Sequence, residues 1–171
     1  MAKTVKTVSG SASKTRRQTN IPMNWFKFII WCQLFLTALS ELSNAFLYLT
    51  GRYYTVQGIN PAEFYSQYPL FRIVNYLFGG VGVVMCIFAI YTRFQLAGFK
   101  KGAPGLFLKY TMISVAKTGI YVLLYVIVST IYGKMTTMAE LMDYISLMIG
   151  GTALYFINKS YFAKREFLFD R

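Results

Sequence analysis

Residues 35–46 read "FLTALSELSNAF". Thr37, Ser40, Glu41, Ser43 and Asn44 interrupt a run that is otherwise soluble in lipid. Whether this run crosses a membrane decides the fold. The composition points one way: 56% of the 171 residues are hydrophobic and 14% are charged, whereas a soluble domain carries about 25% charged residues. The length suffices for one domain.

Working outward, a transmembrane helix takes about 20 mainly apolar residues, and four segments meet that requirement. They are residues 28–49, entered through Trp25 and Lys27; 73–91, flanked by Arg72 and Arg93; 106–132, with Lys109 able to snorkel at its start; and 141–162, closed by Lys164 and Arg165. The expected fold is all-α, an integral membrane four-helix bundle over residues 23–171. The first run is longer than the 7–15 apolar residues of a signal peptide and no small-residue cleavage site follows it, so it reads as an anchor.

The basic residues set the orientation. Lys3, Lys6, Lys14, Arg16, Arg17 and Lys27 precede the first span. Arg93, Lys100, Lys101 and Lys109 lie between the second and third, and Lys159, Lys164, Arg165 and Arg171 end the chain. The opposite side holds only Arg52, Arg72 and Lys134. Positive charge stays inside, so both termini are expected in the cytoplasm. This bias also accounts for the net charge of +12 without nucleic acid as a partner. Trp25, Arg93, Lys100, Lys101, Tyr161, Lys164 and Arg165 read as interface anchors. Residues 1–22 lack hydrophobic periodicity and read as a disordered basic tail that can touch anionic headgroups. In the outer loop, Asn60 and Pro61 can start a short helix.

Polar residues recur at helical spacing inside the spans. Gln33, Thr37, Ser40, Glu41, Asn44 and Tyr48 share one face of the first. Tyr110, Ser114, Lys117, Tyr121 and Tyr125 do so in the third, and Asp143, Tyr144, Gly151, Tyr155 and Asn158 in the fourth. The second carries small residues, Gly79 and Gly82 among them, which with Gly150 and Gly151 suit close helix packing. Four such stripes make a bundle with a polar seam of Gln33, Thr37, Ser40, Asn44, Ser114, Tyr121, Asp143 and Asn158. A charge at the centre of a membrane helix costs about 2.5–3.5 kcal/mol on insertion scales, so such groups face inward and pair. Lys117 is the expected partner of Glu41; Arg52, or protonation of Glu41, would answer the same need.

The missing chemistry is informative. The sequence has no histidine, which excludes Ser–His and Cys–His nucleophiles. Cys32 and Cys86 sit in apolar runs without CxxC spacing, which supports no zinc or dithiol centre. "FGGVGVV" at 78–84 lies within a span and reads as packing, not as a phosphate cradle. No enzyme activity, metal or cofactor is expected.

The inner loop "IYTRFQLAGFKKGAPG", residues 90–105, and the ending "INKSYFAKREFLF", residues 157–169, resemble a set of small bacterial membrane proteins of four spans and no known activity. Their last span ends in an N-x-x-Y-F-x-K-R-x-x-L-F pattern, matched by Asn158, Tyr161, Phe162, Lys164, Arg165, Leu168 and Phe169. The resemblance implies the topology and a bacterial inner-membrane setting, and assigns no functional residue. Three functions are expected from the residues. The first is a non-enzymatic assembly or accessory protein, partnered by lipid and by a second copy or another membrane protein. The second is a small transporter or channel component using Glu41 and Lys117, and the third a membrane-surface or stress sensor.

Overall fold

The computed structural model describes residues 23–133 and 138–169, and the expected basic tail over 1–22 lies outside them. Among the described residues there is no β-strand. Helix α1 runs over Asn24–Thr50, and two short helices, α2 (Arg52–Thr55) and α3 (Pro61–Gln67), follow. Three longer ones complete the chain: α4 (Pro69–Ala97), α5 (Ala103–Ile131) and α6 (Met138–Ala163).

Three of these helices, α1, α4 and α5, are long and apolar enough to cross a membrane, at 27, 29 and 29 residues. At about 1.5 Å per residue each exceeds the roughly 30 Å of hydrocarbon in a bilayer. The expected spans 28–49, 73–91 and 106–132 therefore understate the helices: polar and basic ends such as Arg72 and Arg93 stay helical beyond the apolar run. The reach between α4 and α5 shrinks to residues 98–102. Helix α6, at 26 residues, covers the expected 141–162. It falls short of the other three in apolarity, because Asp143, Asn158, Lys159 and a glycine pair dilute it.

Helix α1 packs along α4, α4 along α5, and α5 along α6. Glycines permit the first contact. A Cβ on Gly82 would stand 3.2 Å from Ala45 Cβ and 3.3 Å from the Glu41 carbonyl oxygen, and one on Gly79 would meet Leu49 at 2.7 Å. A Cβ on Gly151 would likewise meet Val115 Cγ2 at 2.7 Å. Gly150 corrects the expectation: it is exposed with nothing within 4 Å of its Cβ position, since it points away from α5.

Aromatic clusters close both ends. At the end near the termini, Phe26, Phe99, Phe107, Phe162 and Phe169 interlock. Phe99 holds a left-handed φ of 52°, unusual outside glycine; its ring lies 5.0 Å from Phe26 and 5.7 Å from Phe169, which pins the turn. Trp25, read as an interface anchor, donates its Nε1–H to Asn158 Oδ1 at 3.0 Å, tying α1 to α6. Arg93 donates to the Ile30 carbonyl at 3.2 Å and lies over the Trp31 ring. That carbonyl belongs to a single π-type turn at Ile29–Gln33, where the wider winding disturbs the i−4 ladder. Arg165 covers the Tyr161 ring at 3.9 Å, while Lys100, Lys101 and Lys164 are exposed.

At the other end, Asn60 caps α3 through Ala62 N–H, with Pro61 at the first helical position. Phe64 of this helix stacks on Tyr54 at 4.2 Å. Buried Asn75 of α4 donates from Nδ2 to the hydroxyls of Tyr54 (2.9 Å) and Tyr65 (3.1 Å). Burial pushes both hydroxyls above the ordinary tyrosine range, so both stay neutral. Asn75→Leu removes both bonds and leaves the Tyr54 hydroxyl buried alone, at about 1–3 kcal/mol. The expected outcome is faster proteolysis within residues 51–68 than in the parent chain, with melting of the long helices shifted by only a few degrees. Unchanged proteolysis would contradict the role assigned to Asn75.

Candidate functional site

The site grows from one face of α1. Gln33, Thr37, Ser40, Glu41 and Asn44 lie along it at helical spacing, and α5 brings Thr111, Ser114, Lys117 and Thr118 opposite. Lys117 Nζ donates to Glu41 Oε2. The Glu41 side chain is 8% exposed and that of Lys117 17%. Burying two charges costs several kcal/mol per ion before their attraction offsets it, so each depends on the other being there. Thr37, Thr111 and Thr118 turn their hydroxyls back onto the carbonyls of Gln33, Phe107 and Ser114, as hydroxyls within apolar surroundings must.

Two cavities meet at the pair. The first, about 260 Å³, extends toward the end of the molecule near the termini, past Ser114, Thr37 and Gln33. The second, about 100 Å³, extends the other way, past Tyr48, Phe78, Tyr121 and Tyr144. Glu41, Asn44, Lys117 and Thr118 line both, so the two cavities adjoin at the ion pair. In the first cavity, the Gln33 Oε1 and Tyr110 hydroxyl oxygens are buried without a partner in the protein. Buried polar atoms are rarely left unpaired, and these two suit a water or a small polar solute there.

The second cavity ends in tyrosines. Tyr48, Tyr121 and Tyr144 line it, and Tyr53 lies against Tyr48 with ring centroids 5.6 Å apart. Their rings pack at 5.5 Å (Tyr48–Tyr121) and 5.7 Å (Tyr121–Tyr144). This cluster of rings runs from beside the ion pair to Tyr53, in α2 beyond the end of α1.

The seam of polar residues is therefore divided. Gln33, Thr37, Ser40, Asn44 and Ser114 line the first cavity, and Tyr121 the second. Asn158 is buried but serves Trp25 at the helix ends. Asp143 departs from the expected seam: it is exposed and lines neither cavity, because the turn of α6 that carries Tyr144 inward carries Asp143 outward. Ser40 and Asn44 are exposed as well as cavity-lining. The first cavity thus opens sideways between α1 and α6, which among the described residues do not pack along their lengths. Sequence reading missed the tyrosine partners of Asn75 and the convergence of Tyr48, Tyr53, Tyr121 and Tyr144. Its available signal was that the last two tyrosines share a helical face with Lys117 and Gly151, respectively.

Fold and site together define an all-α protein whose three apolar helices are compatible with a membrane location. Comparison with protein-family models, with curated proteins and with solved structures gives no match. The electrostatics are those of a buried charge pair beside two small cavities, with no cluster of three or more metal-ligating acids or thiols among the described residues.

Proposed function

We propose that this chain is a four-span protein of a bacterial inner membrane, with both termini cytoplasmic, that conducts protons or a small cation past the Glu41–Lys117 pair. The observation that carries this reading is the buried pair's position where two cavities adjoin. Protonating Glu41 from the inner cavity cancels its attraction for Lys117 and frees both side chains. The carboxyl can then hand its proton toward the outer cavity and its tyrosine hydroxyls, after which the pair re-forms. A closed pair of this kind favours a small component working by single transfers over an open pore.

The fourth span of this topology is α6. Its lower apolarity suits a helix whose Tyr144 and Gly151 face α1 and α5 instead of lipid. The test is proton flux in proteoliposomes carrying an entrapped pH indicator. The parent chain is expected to dissipate an imposed pH gradient. Glu41→Gln is expected to reduce that flux at least about tenfold, the range over which a positioned proton-transfer group acts, in protein whose melting shows it folded. Equal flux from the variant would refute the reading.

A second reading, assembly with another copy or a membrane partner, is favoured by one observation. Ser40, Ser43 and Asn44 of α1 and Asp143 of α6 are exposed, and polar groups within a bilayer normally face protein or water. Cysteines at Ser43 that cross-link in native membranes would support that cover over the α1–α6 opening; none forming would count against it.

A further inference from the structure

A third cavity, of about 370 Å³, lies at the end of the molecule near the termini, between the turn at 98–102 and the C-terminal segment. Its polar lining is Lys101, Lys159 and Glu166, and its apolar lining includes Leu108, Phe162 and Phe169. Phe162 and Phe169 are buried, so they form a fixed floor and not a mobile flap. No ion pair among the described residues engages either lysine or Glu166. Helix α5 starts at its edge with Gly102 as cap and no side-chain capping bond, which adds the partial positive charge of a long helix's first turn. A Cβ on Gly105, in that turn, would meet nothing within 4 Å, so the groove is open over it.

We propose that this groove holds one anionic phospholipid, with its phosphate between Lys101 and Lys159 and its acyl chains running along Leu108 and Phe162 toward the bilayer. Two lysines against one carboxylate select a headgroup of net negative charge. Glu166 is placed to accept hydrogen bonds from the hydroxyls of a glycerol headgroup. The apolar floor beside the charged mouth distinguishes a lipid from a free phosphate, which has no use for it. Basic pockets between membrane helices on the cytoplasmic side take such headgroups. The pinned Phe99 keeps the turn that carries Lys101 in place before the lipid arrives. This site lies apart from the ion pair; it rests on the membrane-spanning reading and not on any role of Glu41.

The test uses the full chain, first shown to resist alkaline carbonate extraction from membranes, since extraction would refute the membrane reading itself. Native mass spectrometry of the detergent-purified protein then measures retained dioleoyl phosphatidylglycerol against dioleoyl phosphatidylcholine. One phosphatidylglycerol per chain is expected, in preference to phosphatidylcholine. Each lysine near an anionic phosphate is worth about fivefold, so Lys101→Gln with Lys159→Gln should weaken retention about 25-fold. Gly105→Phe fills the groove and should abolish retention without lowering the melting temperature. Lys100→Gln, outside the groove, and Glu41→Gln should retain the lipid. Equal retention of phosphatidylcholine, an equal loss with Lys100→Gln, retention by Gly105→Phe, or displacement by inorganic phosphate alone would each overturn the proposal.

Discussion

Lys117→Met is expected to lower the stability of the detergent-solubilised protein by about 3–5 kcal/mol, the cost of leaving one member of a buried ion pair without its partner. The physical reason is specific to this site. Glu41 is 8% exposed on its side chain and has Lys117 as its single ion-pair partner among the described residues. Arg52, the other cation that sequence reading offered it, lies instead over the Phe46 ring at 5.4 Å. Nothing compensates the carboxylate when the lysine is lost, so it must take up a proton or draw water between the helices. Glu41→Gln should cost less, because the lysine's long stem can carry its ammonium toward the open side of the first cavity. Combining Glu41→Gln with Lys117→Met removes both charges and should recover most of the loss, as interacting groups depart from additivity. Thermal melting followed by circular dichroism measures all three variants, and losses that simply add would show that the two residues do not depend on each other.

The next largest effect is expected from Gly82→Val. The α1–α4 contact is built on close approach, and the Gly82 Cβ position faces backbone, the Glu41 carbonyl at 3.3 Å, as well as Ala45 Cβ at 3.2 Å. Backbone cannot rotate aside as a side chain can, so a branched residue here must push α1 away from α4. Overpacking of this kind costs about 1–3 kcal/mol. It also displaces the residue that carries the carboxylate, so proton flux should fall together with melting temperature. Gly80→Val, two residues earlier and with nothing within 4 Å of its Cβ, provides the comparison and should leave both unchanged. Gly79→Ala should be the milder neighbour, because its Cβ meets the movable end of Leu49. A Gly82→Val protein as stable as the parent would show that the helices do not depend on this approach.

The α1 stripe was legible because a 3.6-residue period survives in sequence: Gln33, Thr37, Glu41 and Asn44 must share a face if the segment is helical, and a cation at comparable depth in another span is then the economical partner. Helix ends were less legible. Apolarity marks the part of a helix that lies in lipid, while the backbone of α4 continues from Pro69 to Ala97 through arginines that tolerate either setting. Asn75 reads in sequence as one of the stripe of small residues on the second span; its partners, Tyr54 and Tyr65, come from residues 51–68, and a lone Asn has no periodicity to reveal them. The Trp25–Asn158 bond joins residues 133 positions apart, a separation that no local pattern encodes. Asp143 and Tyr144 show the limit of stripe reading near a helix end. Adjacent residues lie 100° apart around a helix, and only packing against α5 decides which of the two turns inward.

The most direct measurement is the sidedness of cysteine labelling along α1. Cys32, which is exposed, and Cys86, which is buried, are first replaced by serine. Single cysteines are then placed at Thr37 in the first cavity and at Tyr48 in the second. A membrane-impermeant thiol reagent should reach the cysteine at 37 only from the cytoplasmic side and the one at 48 only from the opposite side, with the Glu41–Lys117 pair as the barrier between them. Labelling of both positions from one side in the otherwise unchanged protein would contradict the account, since no partition would then stand between the two cavities.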